Sequence, residues 1–377
     1  MRILHIVGTM NPNAGGAAEL IRMMVLHQPA GYSSEIVTTD PASASFLREL
    51  PVPAHGVGNY PQWSAPKLLP WLRENRARFD GAIVHGLWWS IGRPARKAFP
   101  GRYAVFPHGM LDPYFKRAFP LKHLKKLPFW CANEYWNLRE AQRVLFTTAL
   151  ERDLAAQSFP WLYRVNPMVV PLGTEPPPAD EATLREAFYA RCPALRNKRF
   201  LLYLGRIHPK KGADLLLDAF AKIAQEHADV HLVMAGPGAE DAWASALQTR
   251  LPASASARIH WPGMLRGSAK WGAFAACEAF VLPSHQENFG IAVVEALASA
   301  RPALTTHPVN ISPELLTDDA GLVEDDTATG IERLLTRWLN LSQQERTLKS
   351  HNARLSFEQR YDIRRNTETI LRVFEQR

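Results

Sequence analysis

Glu287-Asn288-Phe289-Gly290-Ile291-Ala292-Val293-Val294-Glu295 sets two carboxylates eight positions apart at the mouth of an apolar helix. Ahead of it, Glu278-Ala279-Phe280-Val281-Leu282-Pro283 is a short apolar run that predicts a buried strand, and residues 284–289 form the polar turn leaving it. Glu287 is therefore expected on a loop and Glu295 on a helix. A helix that starts near Gly290 leaves the backbone N–H groups of Asn288, Phe289 and Gly290 above the strand ends, where a diphosphate or a sugar hydroxyl can accept from them. Gly290 allows close backbone approach. On their own, the nine residues suit an ordinary helix start equally well, because acids in a first turn are favoured by the macrodipole.

Upstream, Leu204-Gly205-Arg206-Ile207-His208-Pro209-Lys210-Lys211-Gly212 follows a predicted strand, Arg199 to Leu204, and precedes a helix expected to begin near Asp214 as its N-cap. Two cations on a strand-to-helix loop suit a diphosphate. Arg206 offers a bidentate fork and Lys211 a compact charge, and together they can offset charge on a departing nucleoside diphosphate. Val233-Met234-Ala235-Gly236-Pro237-Gly238 closes the next strand with a glycine turn. Each of the three elements is common alone; their order and spacing together are specific.

Residues 199–325 with these motifs resemble the donor-binding half of retaining glycosyltransferases of family 4, which have the GT-B fold. In the amino-terminal half, Pro107-His108-Gly109-Met110-Leu111-Asp112-Pro113 and Val84-His85-Gly86-Leu87-Trp88 resemble segments of a bacterial polysaccharide-assembling branch of that family. The resemblance covers nearly the whole chain, with one departure at Ser299-Ala300-Arg301, where a glycine usually precedes the next strand. It implies an α/β architecture of two Rossmann-like, doubly wound parallel-sheet domains facing a central cleft. It also implies roles for His108, Arg206, Lys211 and Glu287 in the chemistry, with Glu287 on the donor sugar. Donor contacts fall on Gly15, Gly16, Gly236, Gly263, Met264, Asn288, Phe289, Gly290 and Glu295, the last gripping the ribose diol, and His85 stands on the acceptor or sugar side.

Size and composition agree with this. At 377 residues the chain is expected to fold as two domains, and 46% hydrophobic with 21% charged residues is the balance of a globular protein. Strand-like runs alternate with helix-length segments throughout, six in each half, as in parallel sheets covered on both faces. The proline-rich stretch Gly173 to Asp180 marks the boundary. The expected division is an acceptor-binding domain over 1–173, a linker over 174–198, a donor-binding domain over 199–354, and a helix over 355–377 that crosses back to the first domain.

Three well-separated cysteines, Cys131, Cys192 and Cys277, lack metal-ligand spacing and read as buried structural thiols of a reducing compartment. Met1 to Gly8 reads as a first strand and not a signal peptide, and no apolar run reaches the roughly 20 residues of a membrane span. The net charge of +8 is uneven: residues 1–173 carry 20 basic against 11 acidic side chains. Lys116, Arg117, Lys122, Lys125 and Lys126 lie among Tyr114, Phe115, Phe119, Phe129 and Trp130, with no acid between Asp112 and Glu134. Such a cluster suits an anionic membrane surface, or else a solvated face with the aromatics turned inward. No nucleic-acid motif accompanies it. The expected location is cytoplasmic, at most peripheral on the inner face of the cytoplasmic membrane.

The segment Asn11 to Ala17 opens a helix near Ala18 without G-x-G-x-x-G spacing or a following acidic ribose clamp, which argues against a nicotinamide enzyme. No Asp-x-Asp is present for a metal, and Arg206 and Lys211 would take that role; Asp318-Asp319 and Asp325-Asp326 read as turn and cap residues. The expected activity is metal-independent, retaining transfer of a sugar from a UDP- or GDP-linked donor to a lipid-linked saccharide, with no other cofactor. A sugar-nucleotide epimerase and a non-catalytic polysaccharide-binding scaffold are the alternatives. Base choice is expected to rest on backbone contacts around Trp261 to Leu265, and sugar choice on Gln286 and Asn288.

Overall fold

The computed structural model describes residues 1–14, 16–58, 64–178 and 180–375. The chain divides into two compact units, one of Met1–Leu172 with the segment from Ile363 onward, the other of Gly173–Asp362.

The first unit is built on seven parallel strands: β1 Arg2–Val7, β2 Ser33–Thr38, β3 Ala54–Gly56, β4 Gly81–His85, β5 Tyr103–Phe106, β6 Arg143–Phe146 and β7 Pro167–Val169. They lie in the order β3-β2-β1-β4-β5-β6-β7, so the direction of winding reverses between β1 and β4. The second unit has six parallel strands: β8 Arg199–Leu204, β9 Val230–Ala235, β10 Ile259–Gly263, β11 Ala279–Leu282, β12 Ala303–Thr306 and β13 Gly321–Glu324. Their order is β10-β9-β8-β11-β12-β13, with the reversal between β8 and β11. Helices cover both faces, which is why the central strands are continuous apolar runs: Phe200, Leu201, Leu202 and Tyr203 of β8 are fully buried, as are Ala279, Phe280 and Val281 of β11.

Twelve of these strands coincide with the runs expected from sequence, to within two residues at either end. The exception is β3, Ala54-His55-Gly56, which is too short and too polar to show a pattern. It forms because Gly56 lets the backbone press against Asp40 and Pro41, whose carbonyl oxygens would lie 2.7 Å from an added Cβ.

Several expected boundaries move. Residues 180–195 are folded into the second unit: Asp180 caps helix Glu181–Tyr189, which packs on helix Gly267–Ala276 where Gly272 admits the Leu184 carbonyl to within 1.8 Å of its notional Cβ. The chain also returns to the first unit later than residue 355. Helix Gln343–Ser356 runs into a π-turn over Phe357–Tyr361, extended backbone at Asp362 ends it, and a separate helix Ile363–Leu371 follows. Thr174 and Asp362, at the two points where the chain passes between units, pair as an isolated parallel bridge. In the first unit, Asn366 Nδ2 donates to the Leu172 carbonyl, Gln142 Nε2 donates to the Val373 carbonyl, and the Phe374 ring covers Gly81. Of the three cysteines expected inside, Cys192 and Cys277 are buried and Cys131 is exposed.

Candidate active site

In the second unit, the four motif segments leave the carboxyl ends of four neighbouring strands. Arg206 and Lys211 follow β8, Gly236 follows β9, Gly263 and Met264 end β10, and residues 283–295 follow β11. The two charged segments therefore flank the point where strand order reverses, which is where open α/β sheets bind ligands.

Close backbone packing holds these loops together. Gly212 has φ 65°, and a Cβ there would stand 2.0 Å from the Pro283 carbonyl oxygen, so only glycine lets the loop after β8 lie against the end of β11. The His285 amide donates to the Lys210 carbonyl at 3.0 Å across the same seam. Gly236, at φ 140°, would carry its Cβ 1.9 Å from the Gly205 carbonyl oxygen, and the Ile207 amide donates to Pro237. The Gly-Pro-Gly turn is thus a clamp on the loop that bears Arg206.

On this frame the Lys211 ammonium pairs with the Glu287 carboxylate. Glu287 is held by its backbone, its amide donating to Pro308 and its carbonyl accepting from Asn310. The guanidinium of Arg206 is exposed, while its carbonyl accepts from the buried Tyr203 hydroxyl at 2.7 Å. Helix Ile291–Ala298 starts one residue later than expected, with Gly290 as N-cap at φ 76°. The Ile291 and Ala292 amides thus lie in its first turn, where no carbonyl of the helix can receive them. Asp214 is not a cap: Gly212 holds that position for helix Ala213–Ile223, and Asp214 is an acid in its first turn.

Glu295 is 9% exposed and accepts from Lys270 Nζ at 2.6 Å. Lys270 was not foreseen. It sits on helix Gly267–Ala276, twenty-five residues from Glu295, and the sequence carries no local signal for the pairing. Met264 is exposed, and its sulfur lies 3.0 Å from Arg266 Nε. Of the two aspartate pairs, Asp318 pairs with Arg360 and Asp319 with Lys349, while Asp326 is hydrogen-bonded to the His285 ring at 2.8 Å.

The first unit presents a second set at its own reversal point. Gly15 lies outside the described residues; Gly16 opens helix Gly16–Leu26, and an added Cβ there meets no atom within 4 Å, so packing does not demand a glycine. Asp40 anchors the loop after β1, accepting from Thr9 Oγ1 at 2.7 Å and the Met10 amide at 2.8 Å. Gly8 lies under the Trp89 ring, 2.4 Å from its notional Cβ.

His108 lies in a turn two residues beyond β5, in left-handed backbone at φ 52°, followed by Gly109 at φ 74°. Glu151 holds this turn, its carboxylate accepting from the Gly109 amide at 2.7 Å and from Thr147. His85 ends β4, is 2% exposed and has both ring nitrogens engaged, Nε2 with His5 Nδ1 at 2.9 Å and Nδ1 with His108 Nε2 at 3.1 Å. His85, expected on the acceptor or sugar side, is thus a buried residue whose ring reaches His5 and His108. Desolvation brings His5 down to about 4, His108 to about 3, and His85 well below the ordinary imidazole value, so all three rings are neutral at physiological pH. Glu134 stands nearby, pushed up to about 7 by burial, and accepts from the Trp88 amide at 2.7 Å.

The basic stretch is partly tied down. Lys116 and Arg117 donate to Gln157, and Lys126 lies 4.4 Å over the Trp88 ring. Lys122 and Lys125 are exposed, on and beside the short helix Pro120–Leu124, together with Leu121 at 76% and Leu124 at 59% exposure. Trp130, expected among the interfacial aromatics, is 1% exposed and belongs to the core. Among the described residues, no helix is long and apolar enough to cross a membrane.

Two doubly wound parallel-sheet units, the second with charged loops at its reversal point, have the architecture of a GT-B protein. The comparisons agree: residues 189–355 match the model for glycosyl transferases group 1, and residues 15–173 match the glycosyl transferase 4-like domain. The chain belongs to the family-4 type of glycosyltransferase. It is 26% identical over 239 residues to a GDP-mannose-dependent alpha-(1-6)-phosphatidylinositol dimannoside mannosyltransferase of Mycobacterium tuberculosis, a match covering 60% of this chain and 56% of that protein. It is 30% identical over 176 residues to a D-inositol 3-phosphate glycosyltransferase of Streptomyces coelicolor, covering 44% of this chain and 38% of the relative. The chain thus spans about half the length, or less, of these curated relatives. Among solved structures, Anabaena HepE in complex with UDP matches all of both chains with a TM-score of 0.77 at 18% identity.

Proposed function

We propose that the chain is a retaining, metal-independent glycosyltransferase that moves a sugar from a nucleoside diphosphate to a hydroxyl of a lipid-linked saccharide, in exopolysaccharide, capsule or lipopolysaccharide assembly. The observation that carries this is the pairing of Lys211 with Glu287 across the β8–β11 reversal point, with Arg206 on the same loop as Lys211 and Glu295 on the helix that follows β11. The name of the mycobacterial relative and the UDP of the HepE complex support a nucleotide-sugar donor, one pointing to GDP and the other to UDP.

In this reading Arg206 and Lys211 take the diphosphate, and Lys211 exchanges its Glu287 partner for phosphate oxygens, which frees Glu287 for the hydroxyls of the donor sugar. The first-turn amides beyond Gly290 add donors toward the same anion. Glu295, aimed by Lys270, accepts from the two ribose hydroxyls. The bond from the sugar's anomeric carbon to the β-phosphate oxygen breaks, the acceptor oxygen bonds to that carbon on the same face, and the leaving phosphate oxygen takes the acceptor proton. Positioned cations stabilise the leaving group by several kcal/mol in water-poor sites, about the contribution asked of Arg206 and Lys211 here. An open cavity of about 440 Å³ in the first unit, lined in part by Trp89, Arg93, Lys97 and Asn133, offers an aromatic wall with polar groups for an acceptor sugar.

The test is calorimetry with UDP, GDP, ADP and dTDP and the matching sugar nucleotides, with and without a chelator, on the wild type and on Arg206→Ala, Glu295→Ala and Lys270→Met. One diphosphate is expected to bind without added metal, to be lost with Arg206→Ala and Glu295→Ala, and to weaken by about tenfold with Lys270→Met. No binding of any diphosphate at millimolar concentration would overturn the assignment. Release of an altered free sugar nucleotide without acceptor would favour an epimerase instead.

A further inference from the structure

The cavity of about 440 Å³ in the first unit has a charge pattern that an uncharged sugar would leave unanswered. Its lining carries two cations, Arg93 and Lys97, and no acid. Both lie on helix Gly92–Ala98, four residues apart, so they share a face and repel each other. Neither makes an ion pair or a side-chain hydrogen bond among the described residues, and the positions outside the described residues hold no aspartate or glutamate. Arg96, on the same helix but outside the cavity lining, is the contrast: Glu140 neutralises it at 2.8 Å. The helix thus has an acid for the cation that packs on protein and none for the two that line the cavity.

The walls are held in place from behind. Trp88 adopts φ 70°, left-handed backbone that a bulky residue enters at a cost, and Glu134 secures it by accepting from the Trp88 amide at 2.7 Å. The bend delivers Trp89 to the cavity, with its ring packed on Gly8 so closely that a Cβ there would lie 2.4 Å away. Glu134 also accepts from Asn137 Nδ2 at 3.1 Å, and Asn137 in turn fills the space left by the missing side chain of Gly92. One buried carboxylate therefore braces two walls of the cavity. Ser90 and Asn133 add polar groups to the lining, and Phe129 a second ring.

An indole ring gives the C–H face of a pyranose a flat apolar surface. A guanidinium receives a carboxylate or a phosphate through two parallel hydrogen bonds, and an ammonium adds a compact charge. A neutral sugar would leave Arg93 and Lys97 unused, and a bare anion would leave Trp89 unused.

We propose that this cavity takes an anionic saccharide, a sugar ring bearing a carboxylate or a phosphate, with the ring on Trp89 and the anionic group between Arg93 and Lys97. This rests on the assignment of the cavity to an acceptor sugar, and it narrows the acceptor to an acidic one: a uronic acid or a phosphorylated sugar.

The test is a titration of the full chain labelled with nitrogen-15 tryptophan, read at the indole signals by NMR. Trp89→Phe, which keeps an aromatic ring against Gly8, identifies the Trp89 signal. The probes are the methyl glycosides of glucuronic and galacturonic acid, glucose 1-phosphate, the neutral methyl glucoside and galactoside, and inorganic phosphate. A charged sugar is expected to move the Trp89 signal with a Kd about tenfold below that of its neutral counterpart. A preference for a uronide identifies the carboxylate as the recognised group, and a preference for glucose 1-phosphate identifies the phosphate. Arg93→Gln/Lys97→Gln, at two exposed positions, is expected to bring the charged sugar to the affinity of the neutral one, as is added salt. Equal affinity for charged and neutral sugars, unchanged in the double variant, overturns the anionic reading and leaves the acceptor assignment standing. Inorganic phosphate that binds as tightly as glucose 1-phosphate overturns the saccharide part. No shift at Trp89 with any probe at millimolar concentration overturns both the proposal and the assignment of the cavity to an acceptor. A wild type that prefers charged sugars but binds no nucleoside diphosphate supports the anionic-sugar site and overturns sugar transfer instead.

Discussion

Ala300 adopts φ 55° after helix Ile291–Ala298, where the Ala300 amide donates to Leu297 and the Arg301 amide to Ala296. This is the left-handed helix exit that glycine normally occupies, and it explains why a non-glycine there departs from the family pattern without altering the turn. Arg301 offsets some of the strain, its guanidinium donating to the Phe274 and Ala275 carbonyls. Ala300→Gly is expected to stabilise the second unit by roughly 0.5–1 kcal/mol, the relief of left-handed strain exceeding the added freedom of the unfolded glycine. A urea midpoint unchanged or lowered in the variant would contradict this. The same scale separates legible from illegible site residues. Glu287 and Glu295 announce themselves through their spacing, whereas Lys270 and His5 acquire meaning only from the partners that tertiary packing supplies.

At the scale of elements, the charged loops of the second unit are shaped by glycines that admit another segment's carbonyl. Gly212→Ala adds a Cβ 2.0 Å from the Pro283 oxygen in left-handed backbone, so the loop carrying Lys211 must move away from β11. The expected cost is about 2–4 kcal/mol of stability in the second unit, with nucleoside diphosphate binding weakened even in the folded fraction. Gly16→Ala, which meets no protein atom, is the contrasting substitution. Strand existence was readable because buried parallel strands are unbroken apolar runs bounded by glycine and proline. Helix ends were less so: a π-turn at Phe357–Tyr361 divides what the apolar periodicity suggested was one final helix.

At the scale of the whole molecule, two properties follow from buried and exposed groups taken together. His5 and His108 drop from 6.5 to about 4 and about 3 on folding, so below pH 6.5 the unfolded chain binds more protons and stability is lost as the pH falls. Glu134 acts oppositely: raised from 4.5 to about 7, it holds an extra proton in the fold, and its contribution is complete below 4.5 and lost as the pH rises through 7. The histidines outnumber it, each contributing about 1.4 kcal/mol per pH unit, so urea denaturation of the first unit is expected to shift to lower urea between pH 6.5 and 5. The shift should be shallower in His5→Asn. At the surface, Leu121 and Leu124 are exposed beside Lys122 and Lys125, a combination that suits an anionic bilayer. Co-sedimentation with vesicles rich in anionic lipid is expected to drop about tenfold in Leu121→Asp/Leu124→Asp and to weaken with salt; undiminished binding would argue against membrane docking through this helix.

The sequence by itself determined the two-sheet architecture and the donor-side motif. Both depend on local order: apolar runs of strand length, and charges at fixed distances from a strand end. Tertiary structure alone decided which charges meet. Lys211 with Glu287, Lys270 with Glu295, and His5 with His85 and His108 are joined across separations of 23 to 80 residues by strand order and glycine-lined backbone contacts. It also turned Trp130 inward and left Leu121 outward within one basic stretch, because a short helix has too few residues for its pattern to distinguish a face toward the core from a face toward water.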